Sequence, residues 1–383
     1  MIERRLKIAV AARNAAGLSG ASTLLWEESR RLAAQGHDVH VFAERVDEAR
    51  LTAAGVRPRR VLRWPWGSRI KRRWFAGRVD RAVRRGGFDL VHGHGDLLNQ
   101  DVLSLHNCVH TAHERVRGAP LPAGSGAGWM HERQLRGRRF RLLIANSRLM
   151  KNDVEQRFGV PPDRVRVVYP GFDPARFRPE DRTLWREAQR RRWAVGEEET
   201  VVGLVTSGDF EKRGLPLFLR ALAGLPPAVR RRVRAVVVGK ETRPAPYLNL
   251  MRSLDLGDRV QFETPQVHVE ALYHALDVYV HPAPFEEFGM SVQEAMACGV
   301  PVLTSRRVGA SEFWPGAWNA WLAEAPEVSE LSARLAALVE DPLLRRALGA
   351  ALAPAVRAND WEAHFRSLRA CYDEVLDAAG RVE

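Results

Sequence analysis

The densest chemical signal lies between residues 281 and 302, where the chain reads His281-Pro282-Ala283-Pro284-Phe285-Glu286-Glu287-Phe288-Gly289-Met290-Ser291-Val292-Gln293-Glu294 and continues Ala295-Met296-Ala297-Cys298-Gly299-Val300-Pro301-Val302. The patterning predicts strand, loop, helix and strand. Gly289 lets the backbone come close to a ligand, and the amides opening a helix near Ser291 form an anion site, because unpaired N–H groups and the helix dipole both favour negative charge. A diphosphate suits such a site. One turn further on, Glu294 could accept both hydroxyls of a ribose diol, and Glu286 would face the sugar side of the same pocket. Ser291-x-x-Glu294 is also a capping box, in which the two side chains satisfy helix-terminal amides and bind nothing.

A second group is Ser207-Gly208-Asp209-Phe210-Glu211-Lys212-Arg213-Gly214. Cations at the start of a helix oppose its dipole unless an anion is bound there, so Lys212 and Arg213 make sense beside a diphosphate. No Asp-x-Asp occurs in the chain, which removes the usual carboxylate pair for a divalent ion on that diphosphate. No metal is therefore expected, and leaving-group charge falls to cations and amides. His92, His94, His106, His110 and His113 invite a zinc hypothesis, but their spacings match no common zinc motif.

Several elements must position these residues. An apolar strand at 6–12 leads through Gly17-Leu18-Ser19-Gly20 into a helix at 21–35 that stops at Gly36, and a strand follows at 39–42. Strand, glycine turn, helix and strand open a doubly wound α/β sheet, whose ligands bind beyond the carboxyl ends of the strands. Further strands are expected at 88–92, 102–106, 141–145 and 165–169. Proline and arginine then crowd 170–196, which reads as a linker. The alternation restarts at 201–205, 233–238, 260–262, 278–281 and 302–304, and an amphipathic helix begins at Asp360-Trp361. At 383 residues the chain suits two such domains.

The 281–302 string, with its Glu-x7-Glu spacing and Glu-Ala-Met-Ala-Cys-Gly-Val-Pro-Val continuation, resembles the signature of retaining glycosyltransferases of family 4. Asn146-Ser147 and Val167-Val168-Tyr169-Pro170-Gly171-Phe172-Asp173, with Phe177 and Pro179, resemble that family's domain junction. The 205–214 stretch resembles its donor-phosphate loop, in the Gly-Asp-Phe form of bacterial lipopolysaccharide-core glucosyltransferases, with Ser207-Gly208-Asp209 where many relatives carry Gly-Arg. The resemblance implies a GT-B fold of two Rossmann-like domains facing a central cleft. Residues 1–175 would bind the acceptor, 176–359, with the linker, would hold the nucleotide sugar, and a helix at 360–383 would pack back on the first domain. It implies Lys212, Arg213, Glu286 and His106 as catalytic residues, and Asp209, Phe288, Gly289, Met290, Ser291 and Glu294 as donor-binding ones. Gly17, Gly20 and Ser22 would line the acceptor side. His106 matches a family histidine near the reacting sugar, a packed core histidine being the alternative. Glu287 stands where the family has a small residue.

Composition bounds the partners. The net charge is +13, and lysine supplies only five of 59 basic residues, so guanidinium groups dominate and anionic partners are expected. Between Arg57 and Arg85, arginines surround Trp64, Trp66 and Trp74 with Asp80 as the sole acid, which suits an anionic membrane surface; a solvated basic face with buried tryptophans is the alternative. No apolar run reaches the ~20 residues of a spanning helix, and no secretory signal is evident. Three cysteines without CxxC pairing fit a reducing compartment. The expectation is a cytoplasmic enzyme at the inner face of a bacterial plasma membrane, transferring a sugar from UDP-glucose or a similar donor to a glycolipid or polysaccharide, a lipopolysaccharide core above all. It needs no cofactor and binds no nucleic acid. A nucleotide-sugar epimerase and a basic nucleic-acid-binding protein are the rival readings.

Overall fold

Runs such as Ile8-Ala9-Val10-Ala11 and Val236-Val237-Val238 are apolar at every position, the pattern of parallel strands covered on both faces. In the computed structural model, which describes residues 4–17 and 19–380, they form interior strands of two sheets. Leu18 of the expected glycine turn lies outside the described residues. The chain divides into two units, Met1–Pro170 with Trp361–Glu383, and Gly171–Asp360.

The first unit contains β1 (Lys7–Ala11), β2 (Asn14–Ala15), β3 (Asp38–Ala43), β4 (Arg45–Val46), β5 (Arg57–Arg60), β6 (Leu90–Gly93), β7 (Val102–Ser104), β8 (Leu142–Ala145) and β9 (Val165–Val167). Seven of them make one parallel sheet in the order β5-β3-β1-β6-β7-β8-β9, and β2 pairs with β4 apart from it. The order reverses between β1 and β6, where Ala11 lies opposite Gly93. That switch point is where open α/β sheets bind ligands. The helix Trp361–Gly380 contributes Phe365, Leu368, Tyr372 and Val375 to this unit's core.

The second unit holds β10 (Thr200–Val205), β11 (Val233–Val238), β12 (Val260–Glu263), β13 (Val278–Val280) and β14 (Val302–Leu303), in the order β12-β11-β10-β13-β14. Its switch point falls between β10 and β13, with Val202 opposite Val278. The loops leaving these strands, 206–214 and 281–289, are the two segments singled out by their chemistry.

One expectation changes and one alternative falls away. Residues 170–196 are not a bare linker, because the helix Arg182–Arg192 packs on the helix Val269–Ala275 within the second unit. Arginines there are anchors: Arg186 and Arg190 donate to Asp277 at 2.6 and 2.9 Å. Residues 57–85 do not bury their tryptophans. The helix Ser68–Gly86 buries Phe75, Ala76 and Val79, one helical face, and leaves Ile70 at 56% exposure, while Leu62 and Trp66, ahead of it in the chain, are 71% and 73% exposed. Trp64 packs on Trp74, whose indole N–H donates to Leu62 O, so the aromatic cluster is held in place at the surface. Among the described residues no helix is long and apolar enough to cross a membrane.

Candidate functional site

Gly214 allows the 206–214 loop to close on the loop after β13. Its φ is +76°, and a Cβ there would meet Pro282 O at 2.0 Å, so only glycine fits. The close approach brings two cations to two acids across the switch point. Lys212 Nζ lies 2.7 Å from Glu287 Oε2, and the Arg213 guanidinium contacts the Glu286 carboxylate. Both acids are buried. Burial pushes the Arg213 guanidinium below its ordinary range, and the nearby Glu287 and Asp209 charges oppose that. Removing one partner of a buried pair leaves an uncompensated charge, at a cost of about 3–5 kcal/mol.

The 281–289 loop is fixed from its other side. Glu286 N–H donates to Arg307 O, while Gly309 and Ala310 N–H donate to Glu286 O and Phe288 O. Gly289, at φ +89°, ends the loop and caps the helix Met290–Ala297. The helix stops at Gly299, φ +69°, with Val300 N–H returning to Ala295 O, a Schellman closure. Ser291 therefore sits inside the first turn rather than at the cap, and no side chain caps this helix. The capping-box reading is excluded. Among the described residues, the amides of Met290 and Ser291 donate to no protein acceptor, which leaves the positive end of the helix free.

Two tyrosines anchor this helix, Tyr279 from β13 and Tyr273 from the helix Val269–Ala275. The Tyr279 hydroxyl lies 2.8 Å from Ser291 Oγ, 3.0 Å from Val205 O and 3.2 Å from His281 Nδ1. Tyr273 donates to Glu294 Oε2 at 2.8 Å. Burial raises the Glu294 carboxyl to about 7, against the Tyr273 hydrogen bond that lowers it. Burial likewise lowers His281 to about 3, helped by Arg213 and Lys212, so its imidazole is neutral at pH 7.

In the first unit three of the five predicted histidines converge. His94 Nδ1 is 3.0 Å from His106 Nε2, and His92 is held by Tyr372 Oη and Ser104 Oγ, each at 2.7 Å. Glu28 joins them from the helix Gly20–Ala34, with Oε2 3.3 Å from His94 Nε2 and Oε1 3.1 Å from His364 Nε2. Burial alone would raise the Glu28 carboxyl, but His94 and His364 hold it well below its usual range. His106 is pushed down to about 3 by burial and by His94. Glu28, His92 and His94 are close enough together to hold a metal ion. Both His92 nitrogens already have hydroxyl partners, however, so the donor set reads as a hydrogen-bonded network. His110 lies 3.6 Å from Glu132, and His113 bonds Ala119 O; neither belongs to the cluster.

Two family models match the chain: glycosyltransferase family 4 over residues 18–176 and glycosyl transferases group 1 over 186–352. D-inositol 3-phosphate glycosyltransferase of Salinispora arenicola is 30% identical over 94% of this chain and 88% of its own length. The chain belongs to glycosyltransferase family 4. The Geodermatophilus obscurus enzyme of the same name is 31% identical over 92% of this transferase and 84% of its own length. Among solved structures, WaaG, a glycosyltransferase involved in lipopolysaccharide biosynthesis, superposes with a TM-score of 0.81 at 21% identity, covering 96% of this chain and 99% of its own. Anabaena HepE in complex with UDP-glucose gives 0.76 at 20%, covering 97% and 100%. These likenesses establish the GT-B fold.

The transferase places its expected site residues unevenly. Lys212, Arg213, Glu286, Gly289, Met290, Ser291 and Glu294 gather around the switch point of the second unit. Asp209, at φ +56°, accepts from Lys212 N–H at 3.2 Å and so shapes the loop from within. The Phe288 side chain is buried against Phe313, and its carbonyl accepts from Ala310 N–H, so the residue shapes the loop. Lys212 and Arg213 precede their helix, which starts at Leu215, and carboxylates already meet their charge; helix-dipole repulsion therefore says nothing about a bound anion here. In the first unit, Ser22 is buried, with its amide on Ser19 Oγ and its hydroxyl on Ala16 O, so it stabilises the glycine turn rather than lining a wall. Gly17 takes φ +99°, and Gly20 begins the helix.

Tyr273, Tyr279, Glu28 and His364 escaped the sequence reading. Only Glu28 left a signal, a carboxylate on the same helical stripe as Leu25 and Leu32. In 13C-labelled protein the Glu294 carboxyl is expected to titrate near 7 by NMR, and Tyr273→Phe, which deletes the bond that lowers it, should move the midpoint upward. A midpoint near 4.5 in wild type, or a downward move in the variant, would contradict the geometry.

Proposed function

We propose that this glycosyltransferase moves glucose, or a similar hexose, from its UDP derivative to a carbohydrate on a glycolipid, with retention of configuration and without a metal ion. The observation that carries the reading is the free helix end of Met290 and Ser291 set beside Lys212 and Arg213 at the switch point of the second unit. A diphosphate there gains amide hydrogen bonds and two cations in a low-dielectric site, and the same groups stabilise charge on the departing nucleotide as the donor bond breaks. Glu294 would hold the ribose diol and Glu286 the sugar hydroxyls. Both carboxylates are already engaged, by Tyr273 and by Arg213. That supports attack from the leaving-group face rather than through a covalent intermediate of the kind retaining hydrolases form. His106, pushed down to about 3 and so uncharged at pH 7, would orient an acceptor hydroxyl by a hydrogen bond rather than take its proton.

The donor choice is supported by the UDP-glucose complex of HepE, and a lipopolysaccharide-core acceptor by the name of WaaG. The inositol-phosphate relatives, about 30% identical over most of the chain, favour a second reading in which the acceptor is a phosphorylated cyclitol. A glycolipid acceptor agrees with the surface at 62–78, where Leu62, Trp66, Ile70 and Trp74 are exposed beside Arg69, Arg73 and Arg78. Indoles at headgroup depth and arginines on anionic phosphates would hold the enzyme against the cytoplasmic face of a membrane.

A transfer assay over nucleotide sugars, with lipopolysaccharide-core acceptors and inositol 3-phosphate in parallel, tests the central reading. UDP-glucose should be consumed only with an acceptor, at a rate unchanged by EDTA, and Glu294→Ala should raise donor KM at least tenfold. Conversion without any acceptor would instead indicate an epimerase. For the membrane, Trp66→Ser with Arg73→Gln and Arg78→Gln should reduce sedimentation with phosphatidylglycerol vesicles several-fold at low salt. Arg72 is a poor probe because it is bonded inward to Asp96 at 2.9 Å. Equal partitioning of variant and wild type would remove the membrane claim.

A further inference from the structure

A cavity of about 910 Å³ lies within the second unit, at the opposite pole of its sheet from the switch-point loops. Asp277, just before β13, and Pro301, just before β14, both line it, whereas Glu286 and Ser291 follow the carboxyl end of β13. Six guanidinium groups border it: Arg178, Arg182, Arg186, Arg345, Arg346 and Arg357. Among the described residues two acids do, Glu180 and Asp277.

The acids cannot serve all these cations. Asp277 takes Arg186 and, from outside the cavity, Arg190, lies 3.5 Å from Arg182, and also accepts Val201 N–H at 2.8 Å. Arg178 is paired with Asp181, and Arg345 donates to Leu338 O and Val339 O. Among the described residues, Arg346 and Arg357 have no carboxylate partner. They stand on, and just beyond, the helix Pro342–Val356, whose Pro342, Arg346, Ala350 and Ala353 present one face to the cavity. Burial and the neighbouring Arg186 push Arg182 down to about 10, the response of a cation held where negative charge is scarce. Phe172, Pro301 and Ala353 supply an apolar floor.

The geometry points to a second anion site in this cavity, separate from the donor site and taking a soluble phosphorylated small molecule of up to nucleotide size. The volume lies in the range that encloses such ligands, with an apolar floor and a few convergent charged groups. Arginine is the residue suited to phosphate oxygens, through its planar fork of donors. The helix Met290–Ala297 joins the two poles: Ser291 opens it at the switch point, and Ala297, Cys298 and Gly299 line the cavity at its other end.

The test is a calorimetric titration with inorganic pyrophosphate on Lys212→Met/Glu287→Leu protein, in which the donor loop has lost its lysine. Binding should persist in that background and weaken at least tenfold when Arg346→Gln and Arg357→Gln are added. Both of these positions are exposed and glutamine keeps helix propensity, so folding is not at issue. No pyrophosphate binding in that background, or equal binding with and without the arginine changes, would overturn the site. If the donor reading fails instead, the Lys212 and Glu287 changes leave UDP affinity as it was, while the arginine effect on pyrophosphate stands. Sedimentation with phosphatidic acid vesicles separates a free ligand from a lipid headgroup. The arginine changes should leave it unaltered; a loss confined to vesicles, with free pyrophosphate unaffected, would contradict the soluble-ligand assignment.

Discussion

Two buried ion pairs, Lys212 with Glu287 and Arg213 with Glu286, set the terms for the second unit. A cation or a carboxylate alone in that setting would be costly, so each loop needs the other. The pairing is possible only because β10 and β13 are neighbours across a reversal of strand order, and because Gly214 lets one loop pass within contact distance of Pro282 O. Gly289 then turns the second loop into a helix whose first amides stay free. Charge, turn chemistry and topology thus converge on one anion-receptive corner.

The first unit solves a different problem with similar means. Glu28, a carboxylate buried at a core-facing helical position, is kept ionised by His94 and His92 at the end of β6 and by His364 of the helix Trp361–Gly380. His364 also bonds Tyr169 O, so the end of the chain is tied into this network beside the end of the first unit's last strand. His106 stands at the outer edge of the network, half-buried and uncharged at pH 7.

Most of both sheets was legible because strands covered on both faces write themselves as unbroken apolar runs. The strand Arg57–Arg60 was not, since an edge strand of three arginines and a proline pairs on one side only and buries almost nothing. The helix Arg182–Arg192 read as linker because its meaning lies in Asp277, about ninety residues away. The same limit applies at the site. The Glu286-to-Glu294 string and the glycine before its helix are local patterns and could be read directly. The partners that decide what those side chains are free to do, Arg213 for Glu286, Lys212 for Glu287 and Tyr273 for Glu294, are set by tertiary contacts that no local spacing encodes. Ser291 illustrates the difference, since its spacing to Glu294 fits a cap while its position in the folded helix does not.

The measurement that bears most directly on this account is UDP affinity by calorimetry in the Lys212→Met/Glu287→Leu protein. Replacing both members of a buried pair by apolar residues avoids an orphaned charge and is often neutral for stability. The account predicts that the thermal midpoint stays within a few degrees of wild type while UDP binds at least tenfold more weakly. A folded variant that binds UDP as wild type does would contradict it.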